Sequence, residues 1–572
     1  MVQTCQWRIK RGNGRPEPTE IEKWAGELNI SSFLARLLWR RGLTDPRRME
    51  VFLGPNLRHL PGIGEWPELD RAADVLAQEL GEGRTLAVWG DYDADGVTAT
   101  ALVLHFLRRR GYKAVPYIPH RLTEGYGLNF EGLEQLADSG AQCLLTVDCG
   151  VADVEGVERA RELGMSVVIT DHHQVGETLP AARALVNPKL ESGVYSGAAG
   201  VGVAFLLMAA LNRKLPGDPV DMREYLDLVA LGTVADVVEL TEENRILVKN
   251  GLLLLEEAKR PGIFALKEAS GLPATSAVGS GQVGFSLGPR INAAGRMGDP
   301  STALELLLAE DLDTARELAQ TLEQYNRERR SQEDTILKQA LEQAEQWKDS
   351  PGLVLFDPEW HEGIIGIVAS RVRERYYRPT ILLARDGDQL KGSGRSIDEF
   401  DLFSGLCECR EDLVRFGGHP QAAGVSLMEG DLDAFRESFC QAVRQQVGEC
   451  LPEPSLYLEA ELGLDRVDLT LVKELELLQP FGAGNPEPLF CSKPLKVQRH
   501  KVFKNNHVSL ELRDEQAQKT MQGKAWRQAG TLGPEVSGKN VRLAFTPRLN
   551  TYNGLVGIDL QVRDCRLLSD KS

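Results

Sequence analysis

Short apolar runs alternate with helix-like segments between about residues 71 and 190. Runs rich in Val, Leu and Ile predict buried strands, and the longer segments between them predict helices. The pattern predicts strands at 86–89, 114–118, 143–147 and 166–170, with helices at 98–110, 130–138 and 153–163. Regular alternation of this kind predicts an α/β domain with a parallel sheet and right-handed crossovers.

The rest of the chain divides by its pattern into further segments. Residues 198–260 are mainly helical, a second α/β pattern starts near residue 352, and Pro452 and Pro454 mark a linker. Short β-type runs with turns such as Tyr552-Asn553-Gly554 then predict a small C-terminal β-barrel. The predicted domains are an N-terminal segment (1–70), a first α/β domain (71–300), a long connecting helix (301–349), a second α/β domain (350–450) and the β-barrel (451–572).

Composition is that of a large globular protein, with 572 residues, 42% hydrophobic and 26% charged. The longest apolar stretch, 198–211, is shorter than the ~20 residues of a membrane span. The first residues lack the apolar core of a signal peptide, and nine cysteines show no paired framework. We therefore expect a cytoplasmic protein with free thiols and no membrane partner.

Charge is unevenly distributed along the chain. The net charge of −17, taken alone, argues against a polyanionic substrate. From Cys491 onward, however, fifteen Lys and Arg face seven Asp and Glu, a net of +8 that leaves −25 for the rest. An acidic body with a basic C-terminal domain indicates local attraction to phosphate.

Carboxylates and imidazoles follow several of the apolar runs. They are Asp91, Asp93 and Asp95 in WGDYDADG, Asp148 in TVDCG, Asp171-His172-His173 in ITDHH and Asp236 in TVADVV. Ligands of open α/β sheets bind beyond the carboxyl ends of the strands, so folding would gather these groups at one rim. Because carboxylates this close repel, the pattern predicts two divalent metal ions and a hydrolytic site.

Each of these elements has a second interpretation. The D-x-D-x-D-G run is similar to the start of a calcium loop, but position 12 is Leu102 rather than a bidentate Glu. Asp148 fits a turn or a helix cap, and Asp236 fits a hydrogen-bonded core residue. His361-Glu362 is followed by Ile365 where a zinc protease needs His, and Gly200-x-Gly202 fits close packing better than a dinucleotide fingerprint.

Phosphate-type residues form three further sets. The first is Arg290, Asn292 and Arg296 beside glycines, for which the alternative is a structural ion pair; the second is Ser393, Arg395, Ser396 and His419. In the C-terminal domain, basic residues alternate with aromatic residues, a pattern that suits binding of single-stranded nucleic acid. Its candidates are Lys496, Arg499, Lys501, Phe503 and Lys504, followed by Arg542, Arg548 and Tyr552.

Further motifs accompany the D-x-D-x-D-G, V-D-C-G, D-H-H and V-A-D-V elements. They are LGPRINAAGR at 287–296, WHEGIIGIVASR at 360–371, GSGRS at 392–396, GGHPQAAG at 417–424 and FGAGNPEP at 481–488. With these motifs the chain resembles, over roughly residues 50–490, the RecJ family of the DHH phosphoesterase superfamily. Family members are bacterial exonucleases specific for single-stranded DNA.

The resemblance implies roles for matching residues. Asp93, Asp95, Asp148, His172, His173 and Asp236 would form the catalytic set. The two Mn²⁺ or Mg²⁺ ions would be held by Asp91, Asp93, Asp95, Asp148, His172 and Asp236, and Asp148 would bridge the ions. Asp171 and His173 would orient ligands or water. For Asp91 the resemblance leaves two roles, binding a metal ion or orienting ligands or water. The second α/β domain would grip the nucleotide, and the C-terminal domain would be an OB-fold.

Polarity, processivity and DNA preference are likewise implied by the resemblance. We expect a processive 5′→3′ exonuclease that releases mononucleotides in recombination and repair, working with single-strand-binding protein and a RecQ-type helicase. A narrow passage between the two α/β domains would exclude duplex DNA. Two other functions are considered: a phosphodiesterase for short oligoribonucleotides or cyclic dinucleotides, and a non-catalytic replication scaffold. The basic C-terminal domain argues against the first, and the intact metal ligands argue against the second.

Overall fold

The computed structural model describes residues 5–10, 18–190, 193–552 and 555–568, without the side chains of 551, 552 and 555. The predicted turn at Tyr552-Asn553-Gly554 and the side chain of Tyr552 lie outside this description. The chain forms two compact units, described separately below. One comprises residues 1–59, 240–246 and 454–572, and the other residues 60–239 and 247–453.

The N-terminal segment contributes one strand and three helices to the first unit. They are β1 (Gln6–Ile9), α1 (Pro18–Leu28), α2 (Ser32–Arg40) and α3 (Pro46–Leu53). Buried Ile21, Leu34 and Leu37 share one hydrophobic core with Phe490 and Leu510 of the C-terminal domain. The segment is therefore an integral part of that folded unit.

The second unit begins with a parallel sheet. Its elements are α4 (Pro67–Gly81), β2 (Leu86–Gly90), α5 (Ala94–Arg109), β3 (Ala114–Tyr117), α6 (Phe130–Asp138), β4 (Cys143–Val147), α7 (Val154–Glu162), β5 (Ser166–Thr170) and β6 (Ala184–Val186). The strand order is β3-β2-β4-β5-β6, and every pairing is parallel. The predicted α/β class is confirmed. β2 and β4 are buried along their whole length, which explains their unbroken apolar runs.

A helical region follows the sheet. It contains α8 (Gly200–Lys214), α9 (Leu226–Ala235), α10 (Glu242–Glu257), α11 (Pro261–Ala269), α12 (Ser280–Gln282), a π-helical segment (Val283–Leu287), α13 (Gly288–Met297), α14 (Ser301–Leu308) and α15 (Leu312–Gln346). The predicted connector at 301–349 thus contains two helices, of which α15 has 35 residues. Asp311 caps α15 by accepting a hydrogen bond from the Thr314 amide.

The second α/β domain completes this unit. Its elements are β7 (Leu353–Phe356), α16 (Glu362–Tyr376), β8 (Thr380–Asp386), β9 (Gln389–Arg395), α17 (Leu402–Glu408), β10 (Arg415–His419), β11 (Ala422–Met428) and α18 (Leu432–Val447). The sheet order is β10-β11-β9-β8-β7, with only β7 and β8 parallel. None of the described helices is long and apolar enough to cross a membrane.

The C-terminal domain of the first unit is a β-structure. Its elements are β12 (Ser455–Leu458), β13 (Ala460–Leu462), α19 (Leu469–Glu476), β14 (Phe490–Ser492), β15 (Leu495–Phe503), β16 (His507–Asp514), β17 (Lys519–Ala525), β18 (Asn540–Tyr552) and β19 (Leu555–Leu567). β15, β16 and β17 pair in sequence, and β18 pairs with both β15 and β19. Alternate residues of β16 are buried, as expected when one sheet face covers a core. The arrangement is OB-like.

Candidate metal centre

The loop between β2 and α5 carries three aspartates. Asp93 caps α5, because its Oδ1 accepts hydrogen bonds from the amides of Asp95 (2.9 Å) and Gly96 (3.1 Å). A side chain at Gly96 would place its Cβ 2.5 Å from the Asp91 amide nitrogen, so only glycine permits this tight return of the chain. The cap starts α5 at Ala94, four residues before the predicted start, and gathers the aspartates at the end of β2.

The neighbouring strands β4 and β5 bring the next groups to the same rim. Asp148 follows β4 with a left-handed φ of +64°, and its amide donates to the Thr170 carbonyl at the end of β5. Asp171 then accepts hydrogen bonds from the His172 amide (2.7 Å), the His173 amide (3.0 Å) and the Val151 amide (2.9 Å). Asp171 therefore ties together the backbone that follows β4 and β5 at this rim.

Asp236 reaches the centre from a different kind of element. The sequence grouped it with the strand ends, but it forms the C-terminal cap of α9. Its carboxylate Oδ2 lies 3.7 Å from His172 Nε2. The centre is thus built from three strand ends and one helix end.

Two groups of ligand atoms result, and His172 and Asp148 join them. The first ligand group is Asp91, Asp93 and Asp148, and the second is Asp95, His172 and Asp236, with the ligand atoms of each within 4.8 Å of one another. His172 Nε2 lies 3.0 Å from Asp148 Oδ1 and 3.7 Å from Asp95 Oδ2. Asp148 also groups with His172 and His173. Its position between the groups suits a carboxylate that bridges two ions.

The N-terminus of α8 supports both ligand groups. The amides of Gly200 and Val201 donate to Asp95 at 2.6 and 2.9 Å, which aligns the helix dipole with the carboxylate. A side chain at Gly200 would place its Cβ 2.6 Å from the Asp148 Cβ. The close packing expected at Gly200-x-Gly202 is therefore packing against a candidate ligand, a role that the sequence pattern did not indicate.

Burial and mutual repulsion hold protons on these carboxylates. Burial, with the charge of Asp93, raises the pKa of Asp95 to about 7. Burial, with the charges of Asp95 and Asp93, raises the pKa of Asp236 to about 8. The pKa values of Asp91 and Asp148 are raised well above the usual range, first by burial and then by Asp93 and Asp95 respectively. Divalent cations would remove this repulsion.

The donor atoms fit divalent metal ions. Asp91 Oδ1, Asp148 Oδ1 and His172 Nε2 are buried and have no hydrogen-bond partner among the described residues. Burial, followed by the charge of His173, lowers the pKa of His172 to about 3, so its imidazole is neutral and able to ligate. Oxygen ligands with one imidazole suit Mn²⁺ and also accept Mg²⁺.

His173 has a different environment from His172. Its Nδ1 lies 2.8 Å from Asp171 Oδ1 and 3.1 Å from the Tyr126 hydroxyl. Burial lowers the pKa of His173, but the hydrogen bond and charge of Asp171 outweigh burial and raise it to about 9. His173 is therefore a cation at neutral pH, beside Asp148 at 3.9 Å.

A cavity of about 620 Å³ lies between the first sheet and the second α/β domain, within the same unit. Arg121, Arg296 and Arg395 line it with Lys391 and Ser393, together with Glu124 and Glu362. The three arginines form no ion pair among the described residues. Burial lowers the pKa of Arg296 to about 9, and the charge of Arg121 acts in the same direction. Guanidinium groups that repel one another without carboxylate partners are typical of an anion site.

The predicted phosphate-binding residues fall into two classes. Ser393, Arg395 and Arg296 line the cavity, where Arg296 also donates to the Gly363 carbonyl (2.7 Å) and Arg395 to the Gly394 carbonyl (2.7 Å). His419 is exposed and is not among the residues that line the cavity. The other three side chains make internal bonds: Arg290 pairs with Glu323 (2.7 Å), Asn292 accepts from the Ala94 amide (2.7 Å), and Ser396 donates to the Phe400 carbonyl (2.6 Å). Arg290, Asn292 and Ser396 are not among the residues that line the cavity.

Arg121 and Lys391 were missed by the sequence analysis. No sequence motif marks Arg121. The only sign of its role was its place just after β3, which brings it to the carboxyl edge of the sheet. Lys391 lies on β9 two residues before Ser393, and it pairs with Glu362 at 3.5 Å.

Four of the predicted basic residues of the C-terminal domain lie on β15 and the turn that follows it, and Arg542 and Arg548 lie on β18. Lys496, Arg499, Lys501 and Lys504 are exposed. Lys496 lies 3.6 Å from Glu515, whereas the other three form no ion pair in the described part of the chain. Arg542 pairs with Glu461 (3.4 Å) and Arg548 with Glu487 (2.6 Å), which reduces their availability.

Phe503 is part of an aromatic cluster. Its ring centroid lies 5.3 Å from that of His507 and 5.7 Å from that of Trp526. Trp526 is 47% exposed, so the cluster offers a stacking surface beside Arg499, Lys501 and Lys504. His507 and Trp526 were not among the predicted residues, because they come from neighbouring strands rather than from the basic run.

Comparisons with known proteins agree with this arrangement. Residues 85–233 match the DHH family N-terminal domain, residues 349–445 the DHHA1 domain and residues 458–564 the RecJ OB domain. The single-stranded-DNA-specific exonuclease RecJ of Dickeya dadantii is 39% identical over 93% of this chain and 96% of its own.

Solved structures give the same result. The crystal structure of RecJ in complex with Mn²⁺ from Thermus thermophilus has a TM-score of 0.84 at 32% identity, covering 98% of this chain and 79% of that chain. The corresponding complex with Mg²⁺ has a TM-score of 0.78 at 31% identity, covering 98% and 78%.

Proposed function

This chain belongs to the RecJ family of single-stranded-DNA-specific exonucleases, and from that premise we propose how its centre acts. The chain is a metal-dependent exonuclease that hydrolyses single-stranded DNA 5′→3′ with Mn²⁺ or Mg²⁺. The proposal assigns one ion to the first ligand group and one to the second, and it makes mononucleotides the product. The observation that carries it is the pair of ligand groups that meet at Asp148 and His172.

Two divalent ions, when bound, lower the pKa of water and neutralise charge on the phosphate that is attacked. The protein residues fix the geometry. Asp95 is held by the N-terminal amides of α8, and Asp148 is held through its amide by Thr170. Asp171 holds His173 as a cation beside Asp148, where its charge would stabilise the developing negative charge on phosphate.

The arginine-lined cavity supports binding of the terminal 5′ phosphate. Arg121, Arg296 and Arg395 are positioned to pair with phosphate oxygens, and Ser393 supplies a hydroxyl. Arg121 also acts electrostatically on Asp91 of the first ligand group. A terminal phosphate in this cavity would place the first internucleotide linkage at the ions, which accounts for cleavage from the 5′ end.

The C-terminal domain supports binding of single-stranded DNA. Arg499, Lys501 and Lys504 would follow the backbone, while Phe503 and Trp526 would stack on bases. Exclusion of duplex by a narrow passage between the two α/β domains is part of the proposal. Crosslinking that trapped intact duplex at the metal centre would contradict that element.

Cellular partners and location are inferred from the chemistry of the substrate. An exonuclease that requires single strands needs a source of them, so we propose action with a RecQ-type helicase and single-strand-binding protein in recombination and repair. Nine cysteines without a disulfide agree with a reducing cytoplasm.

Digestion of end-labelled DNA tests the function. A single strand labelled at its 5′ or 3′ end and a blunt duplex would be incubated with Mn²⁺, with Asp148→Asn as the inactive variant. We expect labelled mononucleotide early from the 5′ label, late from the 3′ label, and none from duplex or variant. Hydrolysis of pApA without degradation of the strand would favour a small-substrate phosphodiesterase, and inactivity on both would favour a scaffold.

A further inference from the structure

Lys189 lies at the same rim as the metal ligands. It follows β6, the strand next to β5, in which Val186 pairs with Thr170. The Asp171 amide donates to the Val186 carbonyl at 3.0 Å, so the end of β6 is fixed directly beside the Asp171-His172-His173 run. Three residues beyond Val186, Lys189 is placed at the carboxyl edge of the sheet.

One buried asparagine fixes the main chain of Lys189. Asn187 is 1% exposed. Its Nδ2 donates to the His173 carbonyl at 2.9 Å, and its Oδ1 accepts from the Lys189 amide at 2.9 Å. The backbone of Lys189 is therefore held to the backbone of His173 through a single side chain.

The side chain of Lys189 is exposed and forms no ion pair among the described residues. Its charge nevertheless acts on both sides of the centre. It opposes the rise in the pKa of Asp236 that burial, Asp95 and Asp93 cause. It also contributes, after burial, to the lowered pKa of His419 in the second α/β domain. An unpaired cation is thus tethered at the rim that carries the metal ligands, within electrostatic range of Asp236 and His419.

Lys189 and Arg121 lie at opposite edges of the first sheet, because Lys189 follows the edge strand β6 and Arg121 follows the edge strand β3. Arg121 acts on Asp91 of the first group, and it lines the cavity assigned to the terminal phosphate. Lys189 acts on Asp236 and His172 of the second group. The ligands that follow β2, β4 and β5 lie between these two edges, so a strand with its 5′ phosphate near Arg121 and its first linkage at the ions would run on toward Lys189.

We propose that Lys189 binds the phosphate that follows the scissile phosphate on its 3′ side. The inference rests on the proposed function and adds a third phosphate site to it. The ions hold the scissile phosphate, the arginine cavity holds the phosphate before it, and Lys189 holds the phosphate after it. Such a contact keeps the shortened strand in place after each cleavage, when the next 5′ phosphate must move into the cavity.

Substrate length isolates this contact. A 5′-phosphorylated dinucleotide has a terminal and a scissile phosphate, and a 5′-phosphorylated trinucleotide adds the third. For wild type we expect kcat/KM to be higher for the trinucleotide. Lys189→Gln should lower kcat/KM for the trinucleotide by about fivefold, the size of one exposed ion contact in water, through KM. The dinucleotide should be cleaved equally by both proteins.

Two further variants serve as controls. Lys189→Arg keeps the charge and should retain most of the trinucleotide rate. Lys113→Gln removes an exposed lysine that precedes β3 at the amino edge of the same sheet, far from the carboxyl edge that carries the centre. It should leave kcat/KM unchanged for both substrates. Lys189 is exposed, so we expect equal thermal unfolding midpoints for all proteins, which would exclude a folding effect.

A neutral third phosphate provides an independent test. A trinucleotide with a methylphosphonate at its second internucleotide linkage should lose about fivefold with wild type. With Lys189→Gln the methylphosphonate should cause no further loss of kcat/KM, because the lysine that pairs with the phosphate charge is already absent. Additive losses would overturn the proposal.

Other results have distinct meanings. Equal losses on dinucleotide and trinucleotide would place Lys189 at the scissile phosphate and overturn the proposal. Unchanged rates on both would also overturn it, while leaving the exonuclease function intact. Failure of wild type to release a mononucleotide from the 5′ end of the trinucleotide would overturn the proposed function itself.

Discussion

Asp148 Oδ1 lies 3.0 Å from His172 Nε2, although neither buried atom has a hydrogen-bond partner among the described residues. Asp148 comes from β4 and belongs to the first ligand group, whereas His172 follows β5 and belongs to the second. The left-handed φ of +64° at Asp148 directs its carboxylate into this position. At this contact, residues that follow two neighbouring parallel strands would together hold the two metal ions.

Substitution of Gly200 tests the support behind Asp148. In Gly200→Ala the new methyl would lie 2.6 Å from the Asp148 Cβ and displace the carboxylate. We expect Mn²⁺ binding, measured by calorimetry, to weaken at least tenfold, with a parallel loss of nuclease activity.

Gly202→Ala is the matched control for that substitution. It lies on the same helix, and its Cβ would lie 3.5 Å from the Ala198 Cβ, an ordinary contact. It should bind Mn²⁺ like wild type. Equal effects of the two substitutions would mean that α8 is sensitive to any added methyl and that the contact with Asp148 is unimportant.

Arg395 should distinguish strands by their 5′ ends. In Arg395→Gln we expect KM for a 5′-phosphorylated strand to rise about tenfold, since a charge-assisted hydrogen bond to phosphate is lost. KM for a 5′-hydroxyl strand should change little. Steady-state kinetics on the two strands measures the difference, and a uniform rise in KM would contradict binding of the terminal phosphate in the cavity.

Arg290 should affect stability before it affects substrate binding. It is 5% exposed and pairs with Glu323 on α15 at 2.7 Å. In Arg290→Gln the carboxylate of Glu323 would keep only its exposed partner Arg327 (2.7 Å), so we expect a loss of about 2 kcal/mol in the free energy of unfolding. Chemical denaturation measures this loss. An unchanged stability with a raised KM for DNA would instead support the phosphate contact that the sequence predicted.

The difference at Arg290 shows where local spacing fails. Arg290, Asn292 and Arg296 recur at helical spacing beside glycines, but the partner of Arg290 is 33 residues further on in another helix. Asn292 is likewise occupied by the α5 amide of Ala94. Only the tertiary structure reveals that Arg290 and Asn292 hold helices together, whereas Arg296 lines the cavity and also donates to the Gly363 carbonyl of α16.

The metal centre was more predictable because strand ends carry positional information. An apolar run followed by Asp implies a carboxylate at the carboxyl edge of a parallel sheet, which places Asp91, Asp148 and Asp171 together. Asp236 lacked this signal, since it lies in a region that the pattern predicts as mainly helical and it caps the end of the buried helix α9. Arg121 and Gly200 are linked to the centre only by tertiary contacts.

Stability in the presence of metal should depend on pH. The pKa values of Asp95 and Asp236, raised to about 7 and 8 from an ordinary value near 4, favour the folded state while both groups are protonated. That contribution is fully present below about pH 4, where the unfolded chain is also protonated, and it declines with rising pH until both carboxylates have ionised above pH 7 to 8. Mn²⁺ replaces the protons, so the increase in unfolding temperature caused by Mn²⁺ should be larger at about pH 8.5 than at about pH 6.

Differential scanning calorimetry with Mn²⁺ or with EDTA at the two pH values measures this effect. Asp236→Asn cannot ionise at that position and should reduce the pH dependence. An equal increase in unfolding temperature at both pH values would show that these carboxylates do not exchange protons for metal.

A single phosphorothioate tests the central claim most directly, because it examines metal contact and direction together. Sulfur replaces a nonbridging oxygen either at the first linkage from the 5′ end or at the last linkage before the 3′ end of one strand. With Mg²⁺ we expect the first substitution to block mononucleotide release at the outset, and Mn²⁺, which tolerates sulfur better, to restore release. The 3′ substitution should leave early release unchanged. Two results would contradict a two-metal centre acting from the 5′ end: early mononucleotide release in Mg²⁺ that is unaffected by sulfur at the 5′ linkage, or early release that is blocked by sulfur at the 3′ linkage.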